Sequence, residues 1–141
     1  MKIAKEFRWE MGHRLPFHEG LCKNIHGHSY KMVVEIIGEV NKNGMIIDFY
    51  DLGNIVKPVL DIYDHAFLCW ENDEPLREFL EKQDMKRVIV SYQSTVENIC
   101  ADLIRKIYNG LNNLDGYNFE KLSVKIFETP NSFAESSMDF K

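Results

Sequence analysis

Between residues 22 and 30 the chain reads CKNIHGHSY, which brings a thiol and two imidazoles within seven positions. His26 and His28 are two apart. On an extended strand such residues point to the same side, roughly 7 Å apart along the backbone, so two imidazoles can converge on one ion. A third histidine, His13, ends a stretch that alternates Phe7, Trp9, Met11 and His13 on one face. If that stretch pairs as a hairpin with the one that follows residues 14–25, all three imidazoles meet on the core side at one sheet end. An unpaired imidazole is costly there, so a chance H-x-H beside a hydrogen-bonded core histidine is the weaker reading. Three histidines with no obligatory fourth protein ligand make the donor set of a catalytic zinc, which keeps one position open. His18, in the intervening loop, reads as a surface histidine and is the main competitor for a ligand role.

Cys22 lies four residues before His26, inside the loop. Three roles are open to it: a fourth ligand closing a structural zinc site, a base or nucleophile with its pKa lowered by nearby positive charge, or packing. Cys69 and Cys100 read as packing, Cys100 within a helical apolar stripe. Asp64-His65 is either an acid/base pair, with the carboxylate orienting or charging the imidazole, or a helix cap followed by a surface histidine. Glu128 takes the core-facing parity of a strand that stops at Thr129-Pro130. Such a carboxylate is a buried ion-pair partner or an acceptor for two N–H donors of a planar heterocycle.

These groups need elements to hold them. Ile3–His13 alternates as a half-buried strand, and residues 28–40 alternate as a longer one with His28, Tyr30, Met32, Val34 and Ile36 on one face. GMIIDF, residues 44–49, is expected as a short third strand after the turn NKNG. Leu52, Ile55, Val56, Val59 and Leu60 form a helical stripe that Asp48 caps and that Pro58 is expected to kink or end. DEPLREFLEK reads as a short helix with Asp73 as cap and Pro75 in its first turn, and RVIV as a brief strand. The strongest helix runs from Ser94 to Leu111, and its start, Ser94-Thr95-Val96-Glu97, has the form of a capping box. Leu122–Glu128 is the last strand expected. No repeat or linker interrupts the chain, so residues 1–141 are expected to form one α+β domain with mostly antiparallel strands.

With 45% apolar and 12% aromatic residues, a chain of 141 is long enough to bury a core. A net charge of −5 without a Lys/Arg cluster argues against a nucleic-acid or anionic-membrane surface. No apolar stretch reaches transmembrane length, and the start MKIAKEFRWE lacks a signal peptide's apolar core. Three cysteines with no metal-finger spacing suit a reduced, cytoplasmic protein.

FRWEMGHRLP, CKNIHGHSYKMVVEIIGEV, GMIIDFYDL, DH, STVENI and FET follow one another across nearly the whole chain. In this order they resemble the 6-pyruvoyl-tetrahydropterin synthase / 6-carboxy-tetrahydropterin synthase family. The resemblance implies zinc on His13, His26 and His28, Cys22 as the catalytic cysteine, and Asp64 with His65 as the acid/base pair. It also implies Glu128 as the anchor of the pterin ring, with Thr95 and Glu97 as further substrate-binding residues. The implied architecture is the tunnelling fold (T-fold): an antiparallel four-stranded sheet with two main helices on one face. In that fold subunits close into trimeric barrels that stack into a homohexamer, with active sites between subunits.

The three residues between Cys22 and His26 resemble the bacterial 6-carboxy branch. That branch implies a lyase converting 7,8-dihydroneopterin triphosphate to 6-carboxy-5,6,7,8-tetrahydropterin, acetaldehyde and triphosphate, on the route to queuosine. The alternatives are 6-pyruvoyl-tetrahydropterin synthase, which eliminates triphosphate and keeps the side chain, and a non-catalytic module whose zinc is closed off by one cysteine and three histidines. A zinc hydratase or hydrolase would leave Cys22 and Glu128 without a use. Because three histidines already supply the protein's share of an open site, Cys22 is expected to carry a proton rather than hold the metal. Two departures stand out: AFLCWENDE follows DH where a leucine-asparagine pair is common in the family, and residues 70–92 form an extended insertion, read as peripheral. Arg14 and Lys23 are the nearest cations in sequence for a triphosphate.

Overall fold

The computed structural model describes residues 1–141, and its first element realises the expected alternation. Along β1 (Lys2–His13), Phe7, Trp9, Met11 and His13 are buried while Glu6, Arg8 and Glu10 face solvent. β2 (His26–Gly38) runs antiparallel to it, with His13 opposite His26 and Met11 opposite His28. Tyr30, Met32, Val34 and Ile36 continue the same face and are fully buried. Burial of each aliphatic side chain of this kind contributes about 1.5–3 kcal/mol.

Two helices cover that face. α1 (Phe49–Tyr63) starts where Asp48 accepts the Tyr50 N–H at 2.7 Å, as a capping residue should. It does not stop at Pro58. Pro58 and Asn54, whose carbonyl loses its helical partner, are both exposed, so that carbonyl is not buried without a donor. The second helix, Val96–Asn112, turns Ile99, Cys100, Leu103, Ile104 and Ile107 into the same core.

The sheet has six strands rather than four. In chain order the others are β3 (Ala66–Trp70), β4 (Arg87–Val90), β5 (Phe119–Thr129) and β6 (Ser132–Asp139). Their spatial order is β4-β3-β1-β2-β5-β6. Four strands, β1, β2, β5 and the unexpected β6, are antiparallel neighbours, while β3 joins β1 in parallel at Met11 and Gly12 and β4 joins β3 in parallel. GMIIDF forms no strand. Asn41 Oδ1 accepts the N–H groups of Asn43 and Met45, Gly44 turns the chain at φ +79, and the adjacent Ile46 and Ile47 both enter the core. Neighbours that point the same way cannot alternate on a strand. A short helix, α2 (Glu74–Lys82), makes the third helix; the Val96–Asn112 helix is α3. Leu76 and Leu80 of α2 pack with Phe67 and Cys69 of β3 in a separate small cluster. No helix is long and apolar enough to cross a membrane.

Candidate active site

His13 ends β1 with 1% of its surface exposed. Its Nδ1–H donates to the Ser94 carbonyl at 2.7 Å, and the His26 Nδ1–H donates to the Asn24 carbonyl at the same distance. Each bond selects the tautomer whose Nε2 keeps a lone pair. The ligand atoms of His13, His26 and His28 lie within 4.8 Å of one another, with ring centroids 4.7–5.2 Å apart. Burial lowers the His13 pKa to about 4, against the opposing pull of the Ser94 bond, and burial lowers His28 as well. His13 and His28 are thereby favoured in the neutral form, the form that binds a cation.

His13 Nε2 is buried and makes no hydrogen bond. Glu128 Oε1 stands 3.4 Å from it and 3.6 Å from His28 Nε2. A lone pair therefore faces a carboxylate oxygen in a buried place, and a cation between them relieves the repulsion. A ligating histidine that gives its other N–H to a backbone carbonyl is the usual arrangement of a metal site. The triad is able to hold a metal ion.

His28, with Gly27 and Ser29, lines two clefts. One, of about 330 Å³, is lined by His28, Gly27, Ser29, Glu10, Gly12 and His65; the other, of about 480 Å³, carries Glu128, Thr129, Arg8 and Lys31 on its far side. Gly27 borders both, where a Cβ would stand 3.2 Å from the Met11 carbonyl. Asp64 closes α1 and accepts the Glu10 N–H at 2.9 Å, the main cause of its lowered pKa, and lies 3.0 Å from His65 Nδ1. His65 adopts φ +58, unusual for a side chain with a Cβ, and its N–H donates to the Glu10 carbonyl at 2.7 Å. The imidazole stays 76% exposed.

Cys22 sits on a single 3-10 turn, Leu21–Lys23, half-buried, and its carbonyl accepts the Leu15 N–H at 2.8 Å. The ligand cluster comprises the three histidines without its sulfur. The Cys69 and Cys100 thiols are buried and pushed up to about 11, as packing residues should be. His18 is exposed, and its Nδ1 accepts the Gly20 N–H at 2.8 Å.

The cap of α3 falls one residue later than expected. Thr95 accepts the Asn98 N–H, whereas the Ser94 hydroxyl donates to the Arg14 carbonyl at 3.1 Å. Glu97 is exposed in the first turn, and Cys22, Thr95 and Glu97 line neither cleft. Arg14 is not free for an anion, because both its Nε and Nη2 donate to Asp73. Sequence reasoning missed Ser94, which acts through its carbonyl, and Tyr30, whose hydroxyl donates to Glu128 at 3.5 Å. Tyr30 shares the parity of His26 and His28, and that was the available signal.

A family model described as 6-pyruvoyl tetrahydropterin synthase matches residues 2–138. The 6-carboxy-5,6,7,8-tetrahydropterin synthase of Haemophilus influenzae is 41% identical, with 95% of this chain and 96% of that protein covered. The synthase of the same name from Rickettsia felis is 29% identical over 96% of this chain and 99% of its own. Among solved structures, a Plasmodium vivax 6-pyruvoyltetrahydropterin synthase superposes with a TM-score of 0.81 over 99% of this chain and 98% of that one, at 20% identity. Sequence match along almost the full length and a shared fold agree, and the chain belongs to the 6-pyruvoyl tetrahydropterin synthase family.

Proposed function

We propose that the chain is a zinc-dependent 6-carboxy-5,6,7,8-tetrahydropterin synthase, converting 7,8-dihydroneopterin triphosphate and water to 6-carboxy-5,6,7,8-tetrahydropterin, acetaldehyde and triphosphate. The observation that carries the reading is the buried, partnerless His13 Nε2, grouped with the imidazoles of His26 and His28 and facing Glu128 Oε1 at 3.4 Å. The names of the Haemophilus influenzae and Rickettsia felis relatives support the choice of product.

Zinc held by His13, His26 and His28 supplies a Lewis acid for the hydroxyls of the substrate side chain. The chain's own groups do the rest. Glu128, with the Tyr30 hydroxyl behind it, accepts two N–H donors of the pterin ring and fixes its orientation. Cys22, on the loop before His26, moves a side-chain proton. His65, whose Nδ1 lies 3.0 Å from Asp64 Oδ1, presents Nε2 as an acceptor. Asp64, kept ionised by the Glu10 N–H, then stabilises the imidazolium once the proton arrives. Thr95 and Glu97 add substrate contacts at the start of α3. A cytoplasmic location suits three free thiols.

The assembly we propose is a homohexamer of two stacked trimers. β3 reaches only Met11 and Gly12, so the outer edge of β1 from Lys2 to Trp9 is unpaired, as is the outer edge of β6. The two strands run in opposite directions, so β6 of one copy can extend β1 of the next, and the repeat closes into a ring without edges.

Incubating the zinc-loaded protein with 7,8-dihydroneopterin triphosphate and weighing the products tests the reading. The carboxylated pterin and acetaldehyde are expected. A product that keeps the side chain as a pyruvoyl group would make the chain a 6-pyruvoyl synthase, the activity in the family model's own description.

A further inference from the structure

The inserted segment 70–92 reaches the triad through the residue next to it. Arg14 directly follows His13, and its guanidinium grips both oxygens of Asp73, with Nε at 2.7 Å from Oδ2. Asp73 stands at the start of α2, where its N–H donates to the Trp70 carbonyl and its carbonyl accepts the Arg77 N–H, each at 2.9 Å. Only 3% of its side chain is exposed. Expected to cap α2, that carboxylate makes no bond to the helix's own N–H groups and is spent on Arg14. Just beyond the segment, Ser94 holds two consecutive residues: its carbonyl takes the His13 Nδ1–H and its hydroxyl binds the Arg14 carbonyl. α2 flanks the facing strand too. Pro75, Leu76 and Phe79 share a cleft of about 130 Å³ with Arg14 and with Ile25, the residue before His26.

Sheet pairing ends at His13, so the ladder alone does not hold the chain beyond it. A two-pronged Arg–carboxylate contact fixes direction as well as distance. Buried pairs of this kind are a weak source of net stability but penalise any movement that strands one charge. We propose that Asp73 is a positioning residue of the metal site: acting through Arg14, the inserted α2 holds the end of β1 so that His13 Nε2 is aimed before the ion arrives. The segment expected to be peripheral is in this view a brace. The inference rests on the triad as the zinc site and is independent of which pterin product forms.

Metal affinity of the full chain tests it without substrate. Zinc(II) and cobalt(II) are titrated into metal-free protein against a competing chelator, and the unfolding midpoint of each metal-free variant is recorded. Asp73→Asn keeps the shape and removes the charge. It is expected to weaken zinc binding about 10–100-fold, the usual effect of losing a group that orients a metal ligand, and to alter the visible band of the cobalt protein. Asp73→Glu should recover most of the affinity, and Glu78→Ala, at an exposed position of the same helix, should leave it unchanged. Arg14→Lys keeps the charge but loses the fork, should fall between, and decides the matter where Asp73→Asn does not fold. Wild-type affinity in Asp73→Asn with only a lowered unfolding midpoint overturns the brace and leaves the triad standing. A wild-type protein that takes up no ion overturns both.

Discussion

A thiol that moves a proton and a thiol that holds a metal respond differently to truncation. Cys22→Ala is expected to lower turnover by about 10² to 10⁴, the usual worth of a positioned acid or base, while zinc content and assembly stay unchanged. Steady-state kinetics and metal analysis on one preparation decide it, and zinc lost in step with activity would favour the closed site in which the thiol is a fourth ligand. The histidines divide in a similar way. His13→Ala is expected to lose the ion and His18→Ala to keep it, because His18 is occupied by the Gly20 N–H away from the cluster. At this scale the triad was legible because strand parity alone puts His13, His26 and His28 on one side. Arg14 was not: its partner lies 59 residues away, a separation that local pattern does not bridge. Nor was Ser94, because a carbonyl acceptor is not announced by any side-chain type.

At the level of elements, one carboxylate on α3 ties together the segments that carry the site. Asp102 Oδ2 accepts the hydroxyls of Tyr63, the last residue of α1, and of Tyr92, each at 2.9 Å, while Lys106 donates to Oδ1 at 2.6 Å. Burial pushes the Asp102 pKa up, but Lys106, Tyr92 and Tyr63 outweigh it and leave the carboxyl below its ordinary value. A folded pKa below the unfolded one stabilises the protein above the ordinary carboxylate pKa, and the benefit fades as pH falls through the folded value. Asp102→Asn is therefore expected to cost about 2 kcal/mol at neutral pH, measured by denaturant unfolding, with the gap from wild type closing in acid. If the gap persists unchanged at low pH, the charge is not what matters. Among the elements, β3 was hidden because Leu68 and Cys69 are buried on opposite faces, which erases alternation. β6 was hidden because SFAESSMD pairs on one side only and carries few apolar residues. Strong periodicity was read correctly in β1, α1 and α3, where one face alone is buried.

For the whole molecule, the unpaired edges of β1 and β6 predict association. Light scattering at micromolar concentration is expected to give the mass of six chains, and a stable monomer would remove both the ring and any site shared between subunits. Interrupting the edge should act on assembly first. Ser137→Pro on exposed β6 is expected to shift the population toward smaller species while far-UV circular dichroism stays close to wild type. An oligomer was expected mainly from the resemblance, and also from the unpaired edges that a short four-stranded sheet leaves. The two free edges that rationalise it depended on β6, which the sequence pattern did not reveal.

The pairing of His13 with His26 and Met11 with His28 also bears on how the chain finds its fold. A side-chain period of two means that sliding β2 by one residue would turn His26 and His28 to the opposite face. No such slipped hairpin assembles three imidazoles, whatever apolar contacts it makes. An ion held by the triad would thus act as a proofreader: it would bind one register out of many, and by mass action would draw the population there. In a cell poor in the metal, misregistered chains would lose that correction, and the yield of native protein would fall before any enzyme assay noticed a missing cofactor.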